Sequence, residues 1–256
     1  MLFRIFRIGL FGFIQLIRTK TYVALLASGF ACILLSLVID VISGGHSGRI
    51  FLDIALFGIS IISCCLGGII AIHLIAQDIQ TKRIHSLMVR PLFRFEIIFG
   101  HFTTVSMIVL CSNLFLGALL AFLLGVMGYD FGVRVIFTAL FFSPEAFFVA
   151  SFAILMGIGS SGSVSSVVTL IVFFAGRLSG DLGELIAAGK FGGATQVMKL
   201  VYYALPQLHR FNLSKWAHDG GALAWGEVSA SLLHGLLFTC GVLCLAAYRF
   251  QKKDLY

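Results

Sequence analysis

The sequence predicts an all-α, polytopic membrane protein with six transmembrane helices. Of its 256 residues, 59% are hydrophobic and only 11% are charged, whereas a soluble domain carries about 25% charged residues. Long apolar runs such as 54–75 lack the polar–apolar alternation of a transmembrane strand. Composition therefore argues against a soluble globule, a disordered chain, a disulfide-stabilised secreted domain and a nucleic-acid-binding protein.

Six apolar segments are long enough to be membrane crossings, since a transmembrane helix needs about 20 residues. The fifth segment is shorter than the others, so the sequence defines the end of this crossing least precisely. All six belong to one transmembrane domain that covers residues 1–256. We place the crossings near 21–42, 51–76, 103–127, 134–157, 163–178 and 226–248.

The N-terminal segment, residues 1–20, predicts a helix that lies in the membrane interface. Between residues 2 and 17, apolar side chains recur on one helical face and basic residues occupy other positions. This is the pattern of an interfacial amphipathic helix. The apolar face consists of Phe3, Phe6, Leu10, Phe13, Ile14 and Ile17.

The distribution of basic residues predicts that both termini are cytoplasmic, because cytoplasmic loops are enriched in Lys and Arg. The N-terminal segment, the 77–102 loop and the C-terminal tail are basic, and six crossings place all three on one side. The short opposite loops, 43–50 and 128–133, hold only Arg49 between them. The residues that set the orientation are Arg4, Arg7, Arg18, Lys20, Lys82, Arg83, Arg90, Arg94, Arg249, Lys252 and Lys253.

Two connections between the crossings have structure of their own. The 77–102 loop is amphipathic and contains a helix that Pro91 ends, because proline does not fit a helix interior. The external segment 179–225 includes a helical stretch near 194–204, followed by a break at Leu205-Pro206. We expect this segment to form a small cap that dips back toward the bilayer.

The sequence predicts no catalytic residue and no metal site. It has no phosphate-binding G-x-x-x-x-G-K-[ST] loop, and its His, Cys and acidic residues lack metal-ligand spacing. One enzyme-like feature is the G-x-S-G run 159–162 together with His234, as in intramembrane serine proteases. Ser161 and His234 are predicted near opposite ends of their spans, whereas catalysis requires hydrogen-bond contact.

Glu145 is the candidate intramembrane polar site, because ionisable residues inside a membrane are costly and often functional. It follows Pro144 within the fourth crossing. Two interpretations stay open. The carboxyl helps to satisfy backbone groups that the proline frees or faces a central cavity, or it lies in a helix break near the outer leaflet, hydrated and paired locally. Arg177 and Asp181, four residues apart, are predicted to form an ion pair at the outer end of the fifth span.

The 77–102 loop resembles the corresponding loop of ABC-2-type permeases. The similarity consists of Thr81-Lys82-Arg83 with Leu87, the turn Pro91-Leu92-Phe93-Arg94, and Gly100-His101, where that family usually has Gly-Lys. The branch that serves multicopper-enzyme and nitrous-oxide-reductase maturation is similar over nearly the whole chain. The further similar segments are 160–166, 176–182, Leu205-Pro206-Gln207, Phe211-Asn212-Leu213 and 250–255.

The resemblance implies a permease subunit that works with two copies of a separate P-loop ATPase, which binds ATP and Mg²⁺. This chain would bind no cofactor itself. The 77–94 segment would be the coupling helix, and residues 1–20 would be an interfacial elbow that moves with the first span. The coupling residues would be Gln80, Thr81, Lys82, Arg83, Ile84, Leu87, Met88, Arg90, Pro91 and Arg94.

The resemblance also implies a multi-pass protein of the bacterial plasma (inner) membrane that pairs with a second permease chain, identical or related. Lipids are expected partners, and 179–225 is a candidate surface for an external partner. Three alternatives remain. The basic loop residues could hold anionic lipid headgroups, the protein could be an intramembrane serine protease, or it could be a membrane scaffold or assembly factor without transport.

Overall fold

A computed structural model describes residues 2–42, 48–80, 94–129, 132–189, 195–204, 206–220 and 225–252. These residues form helices joined by short turns. In chain order the helices are α1 (Leu2–Ile17), α2 (Lys20–Ile42), α3 (Arg49–Gln80), α4 (Arg94–Val126), α5 (Gly132–Phe141), α6 (Ser143–Gly159), α7 (Gly162–Ala187), α8 (Thr195–Ala204), a 3-10 helix (Leu208–Phe211), α9 (Ser214–Asp219) and α10 (Trp225–Lys252).

Six spans are long and apolar enough to cross a membrane, so the predicted six-span all-α fold is confirmed. Helices α5 and α6 together make the fourth span. The two largest departures are in the third and fifth spans, because α4 begins at Arg94 instead of near 103 and α7 continues to Ala187 instead of ending near 178. The spans are Lys20–Ile42, Ile50–Ala76, Phe95–Val126, Gly132–Gly159, Gly162–Ile186 and Trp225–Lys252.

The second and fourth spans form the centre of the bundle. About two thirds or more of their apolar windows are buried, 67% and 72%, whereas the figures for α2, α7 and α10 are 22%, 28% and 33%. The peripheral helices therefore present apolar side chains outward, as helices in contact with lipid do. We call the end of the bundle that carries α8 and α9 the cap end, and the end where α3 stops and α4 begins the loop end.

Helix α1 has the predicted bounds, and it packs along the third span, α4. Its glycine face allows the contact: a Cβ at Gly12 would lie 2.9 Å from Thr104 Cγ2. The Thr104 hydroxyl also lies 3.2 Å from the Gly9 carbonyl, which accepts its hydrogen bond. The opposite face, with Phe3 and Phe6 more than half exposed, is free to enter lipid.

The fourth span is broken at its middle. Helix α5 ends at Phe141, and α6 begins at Ser143 with Pro144 in its first turn. Proline has no amide hydrogen to continue the ladder of hydrogen bonds from α5, so the chain restarts there as a new helix. The restart places the first turn of α6, with Ser143 and Glu145, in the buried centre of the bundle.

Helix α8 and the 3-10 helix, at the cap end, pack on a small-residue face of α7. A Cβ at Gly176 would lie 2.8 Å from Leu208 Cδ1, and one at Gly183 would lie 3.0 Å from the Tyr202 ring. Helix α8 matches the helical stretch expected near 194–204, and residue 205 of the expected break lies outside the described residues. The glycines thus let α8 and the 3-10 helix approach the cap-end part of the fifth span closely.

Candidate functional site

Polar side chains from four spans meet in the centre of the bundle. All are buried except Arg177, whose side chain is 19% exposed. A buried polar group in a membrane has no water to satisfy it, so such residues must find partners within the protein. We call this group the central polar cluster: Ser60 and Ser63 on α3, Asn113 on α4, Ser143 and Glu145 on α6, and Arg177 on α7.

The Glu145 carboxylate and the Arg177 guanidinium form the charged half of the cluster. Arg177 Nη1 donates to Glu145 Oε1 at 3.1 Å and to Oε2 at 3.5 Å. The Ser60 hydroxyl donates to Glu145 Oε2 at 3.1 Å, and Arg177 Nη1 also contacts the Ser60 oxygen. The Phe57 ring lies 5.1 Å from the guanidinium carbon. One ion pair therefore joins α3, α6 and α7.

Asn113 forms the uncharged half of the cluster. Its amide nitrogen donates to Ser63 Oγ at 3.0 Å and to Ser143 Oγ at 3.1 Å. Its Oδ1 is fully buried and, within the described part of the chain, is the one buried side-chain polar atom without a hydrogen-bond partner. An unsatisfied buried acceptor costs roughly 1–3 kcal/mol. This half links α3 and α4 to the helix break.

The cluster lies inside the membrane, nearer to the cap end. Arg177 is ten residues from the end of α7 at Ala187, which is roughly 15 Å along a helix axis. Ser60 is ten residues from the start of the second span at Ile50. Since the hydrocarbon core is about 30 Å thick, these groups cannot be in bulk water, and their pairing neutralises them in place.

The structure places Glu145 in the buried interior of the bundle, where its carboxylate pairs with Arg177. Its residue exposure is 1%, so it is not hydrated in the helix break. Arg177 has a different partner from the predicted one, because its guanidinium contacts Glu145 while Asp181 is exposed. A buried carboxylate needs a counter-charge, whereas an exposed one keeps its water, and this difference selects the partner.

Several members of the cluster were not identified from the sequence. Ser60 and Ser63 are three residues apart, which places them on one helix face, but serine is common in membrane helices and bonds to its own backbone. Asn113 is the clearer signal, since it is a lone amide within the apolar run 105–126. Only the fold shows that these side chains meet.

The serine and histidine of the protease alternative are not brought together. Gly159, at the start of the G-x-S-G turn, faces Arg249, because a Cβ there would lie 3.6 Å from its guanidinium. Arg249 is fifteen residues beyond His234 on α10, roughly 22 Å along that helix. The His234 ring instead stacks near Phe238, with 5.0 Å between ring centroids.

His209 connects the cap to the fifth span. The Ser179 hydroxyl donates to the Gly176 carbonyl at 2.7 Å and lies 3.0 Å from His209 Nδ1. The Ser179 hydroxyl therefore contacts both its own helix backbone and the His209 ring of the cap. Burial, with a contribution from Arg210, lowers the pKa of His209 below 6.5, although Asp181 opposes the shift.

The residues predicted to couple to an ATPase fall mostly outside the described residues. The structure shows Gln80 as the last residue of α3 and Arg94 as the first residue of α4. The others lie in the segment between these helices: Thr81, Lys82, Arg83, Ile84, Leu87, Met88, Arg90 and Pro91.

Fold and site together define a six-span α-helical membrane protein with a buried ion pair at the centre of its bundle. Comparison with known proteins adds no family to this description: no protein-family model matches the chain, and no curated protein matches it in sequence.

Proposed function

We propose that this protein is the membrane-spanning subunit of an ABC-2-type transporter, and that a separate P-loop ATPase docks on its 77–94 segment. The observation that carries the proposal is the length of α3 and α4, the two helices on either side of this segment. Helix α3 has 32 residues and α4 has 33, so each is roughly 50 Å long, against a hydrocarbon core of about 30 Å. Helices of that length extend beyond the hydrocarbon core, where a soluble subunit can reach the segment between them.

The composition of the segment suits such a partner. Lys82, Arg83 and Arg90 would contact acidic groups on the ATPase, while Ile84, Leu87 and Met88 would supply apolar anchors. Buried apolar anchors give most of the affinity of an interface, and surrounding charges give orientation and association rate. ATP and Mg²⁺ would be bound by the partner, so this chain would contribute no catalytic residue.

A continuous helix links the proposed docking segment to the central polar cluster. Gln80, at the loop end of α3, is twenty residues from Ser60, or roughly 30 Å along the helix. Closure of two ATPase subunits would displace the docking segments, and α3 would transmit the displacement to the Glu145–Arg177 pair. That pair holds α7 on α3 and α6, so its shift would re-pack the contact with a second permease chain.

The location follows from the same proposal. An ATPase that meets the 77–94 segment must be cytoplasmic, which places both termini in the cytoplasm and the cap outside the membrane. The basic residues agree with this orientation. The setting would be a bacterial plasma membrane, with the cap exposed on its outer side and open to an external partner.

The test is purification of the tagged chain from its native cell in nanodiscs, with mass spectrometry of bound proteins and measurement of ATP hydrolysis. We expect a stoichiometric P-loop ATPase without spans of its own. The variant Lys82→Glu/Arg83→Glu/Arg90→Glu should lose that subunit and at least nine-tenths of the ATPase activity. The matched control is Lys190→Glu/Lys199→Glu/Lys215→Glu, which reverses three charges in the external segment and should retain both.

Two results would contradict the proposal. Gently extracted material with no ATPase subunit and no ATP turnover would favour a scaffold or assembly factor. A loop variant that keeps the ATPase but no longer binds anionic vesicles would assign the basic residues to lipid headgroups instead.

A further inference from the structure

A cavity of about 500 Å³ opens at the cap end of the bundle, between α5, the 3-10 helix, α9 and α10. Sites for small molecules have volumes of roughly 300–1,000 Å³, so the cavity is large enough for such a ligand. Its rim is polar and exposed, with Arg210, Asn212 and Glu227. Its floor is less than one-tenth exposed, with Phe141 and Val228. A ligand would therefore meet polar groups at the entrance and apolar groups deeper in.

The cavity reaches from the boundary of the membrane into the cap-end leaflet. Glu227 is two residues from the start of α10 at Trp225, so the rim is at the end of that span. Phe141 is nine residues from the start of α5 at Gly132, which is roughly 13 Å along a helix axis. The floor therefore lies within the hydrocarbon core, which is about 30 Å thick in total, while the rim lies at its boundary.

The rim carries two opposite charges that do not pair. Within the described residues, neither the Arg210 guanidinium nor the Glu227 carboxylate makes an ion pair or a side-chain hydrogen bond. An exposed charge is usually only hydrated, but these two line the same cavity above an apolar floor. They therefore offer a ligand one position for an anionic group and one for a cationic group.

Two further features of the lining suit a bound molecule. Asn212 Oδ1 accepts from the Ser214 amide at 3.1 Å and from the Ser214 hydroxyl, so Asn212 Nδ2 is left to donate to a ligand. The Trp216 ring lies edge-on to Phe137, with 5.6 Å between ring centroids, and this contact holds an aromatic wall in place. A rigid aromatic surface binds apolar groups with little loss of conformational entropy.

The charges of the lining favour a zwitterion over a simple ion. Burial and Arg210 lower the pKa of His209, the third titratable residue of the lining, so its ring is neutral at neutral pH and the lining has no net charge. A simple anion would be attracted by Arg210 and repelled by Glu227, and the reverse holds for a simple cation. A molecule with both charges is attracted at both positions.

We propose that this cap-end cavity binds a zwitterion that has an apolar body. Arg210 and the Asn212 amide hold its carboxylate or phosphate group, and Glu227 holds its ammonium group. The apolar body rests on Phe141 and Trp216.

Two sources carry this chemistry: a short peptide or amino acid from outside the membrane, and the ethanolamine headgroup of a lipid in the cap-end leaflet. Both have an ammonium group, an anionic group and apolar carbon. The cavity includes no residue of the 77–94 segment. The inference therefore goes beyond the proposed function, and either can fail without the other.

The chain has two tryptophans, which provide a reporter and its reference. Trp216 lines the cavity, whereas Trp225 is 69% exposed and is not part of the lining. The full chain is labelled with 5-fluorotryptophan and placed in nanodiscs of phosphatidylglycerol, which has no ammonium group. On addition of a zwitterion, we expect a saturable change in the fluorine-19 chemical shift of Trp216 and little change at Trp225.

The experiment has two arms, of which one adds leucyl-leucine and the other adds phosphatidylethanolamine to the nanodisc. A response to the dipeptide assigns a soluble ligand, a response to the lipid assigns its headgroup, and either supports the proposal. Three matched probes lack one of the two charges: N-acetyl-leucyl-leucine, leucyl-leucinamide and N-acetyl-phosphatidylethanolamine. Each should bind at least tenfold more weakly than its parent compound.

Two variants test the charged groups. Arg210→Gln and Glu227→Gln should each raise the half-saturating concentration at least tenfold, because each removes one of the two charged contacts. Both side chains are exposed, so neither change disturbs the packing of the bundle. The matched controls Arg249→Gln and Glu184→Gln alter exposed residues outside the cavity and should stay within twofold of the unaltered chain.

Three results would overturn the proposal. They are no response of Trp216 to either zwitterion, equal binding of the probes that lack one charge, and unchanged binding in either cavity variant. The first two are measured on the unaltered chain, so a misfolded variant cannot produce them.

Discussion

Two adjacent residues of α7, Gly176 and Arg177, make opposite kinds of contact. Gly176 faces the cap and allows close packing because it has no side chain. A Cβ there would lie 2.9 Å from the Pro206 carbonyl oxygen. Arg177 faces the bundle interior and works through its long charged side chain, which reaches α3 and α6. The cap contact depends on close packing, and the interior contact on charge compensation. Substitutions at the two residues should therefore destabilise the protein by different mechanisms.

The largest expected effect is from Glu145→Ala, which leaves Arg177 without a counter-charge in the bundle. Breaking one side of a buried ion pair costs about 3–5 kcal/mol. We expect a marked fall in the free energy of unfolding, measured by thermal or denaturant unfolding in nanodiscs. Glu184→Ala is the matched control on α7, where the side chain is exposed, and should change little.

A double substitution sharpens this prediction. Glu145→Leu/Arg177→Met removes both charges, and an apolar pair of similar volume often restores stability. We expect it to recover most of the loss caused by Glu145→Ala. A double variant as unstable as the single one would show that packing around these side chains, not charge, holds α7.

Gly176→Ala should disturb the cap without affecting the interior. The added methyl group overlaps Leu208 and Pro206, and overpacking of this kind costs about 1–3 kcal/mol. Amide hydrogen exchange should accelerate in 195–220 and remain unchanged in α3 and α6. Gly241→Ala, at a position with open space, is the control. Equal acceleration in both regions would mean that the two contacts are not separate.

A smaller effect is expected for acidification, through His209. Its pKa is lowered in the folded state, so the unfolded chain binds the proton more readily. Stability from the neutral ring is therefore complete above pH about 6.5, the unfolded value, and falls as the pH drops through the lower folded value. The protection of amides in 195–220, measured relative to their intrinsic exchange rates at each pH, should fall below pH about 6.5, and His209→Gln should remove that dependence.

The smallest effect should come from Asn113→Leu. The substitution removes two hydrogen bonds but also removes the unsatisfied Oδ1, and the serines can turn to their own helix carbonyls. Because the serines keep a partner in this way, no buried polar group is left unsatisfied, and we expect a change within about 1 kcal/mol. A loss above 2 kcal/mol in nanodisc unfolding would indicate that the polar group is fully satisfied in the membrane.

Hydropathy predicted the spans well because a long apolar run in a bilayer forms a transmembrane helix. The hydropathy pattern predicted an end of the fifth span near 178, however, because a hydropathy scale scores Arg177 as a hydrated charge. The scale does not include the pairing with Glu145 that neutralises this charge inside the bundle. The i, i+4 spacing suggested Asp181 for the same reason, since local spacing is visible in a sequence and a contact between α6 and α7 is not. Glu145 itself was predictable, because an ionisable residue in the middle of a span always needs an explanation.

The attachment of α1 to α4 has a consequence for the bilayer itself. Helix α4 begins at Arg94, the last residue of the proposed docking segment, and Ile8 packs on Gly100 within its second turn. A push on that segment would therefore tilt an amphipathic helix whose phenylalanines are inserted in one leaflet. Under the proposed function, each ATPase cycle would displace lipid locally, and the free energy of the cycle would depend on membrane thickness and curvature.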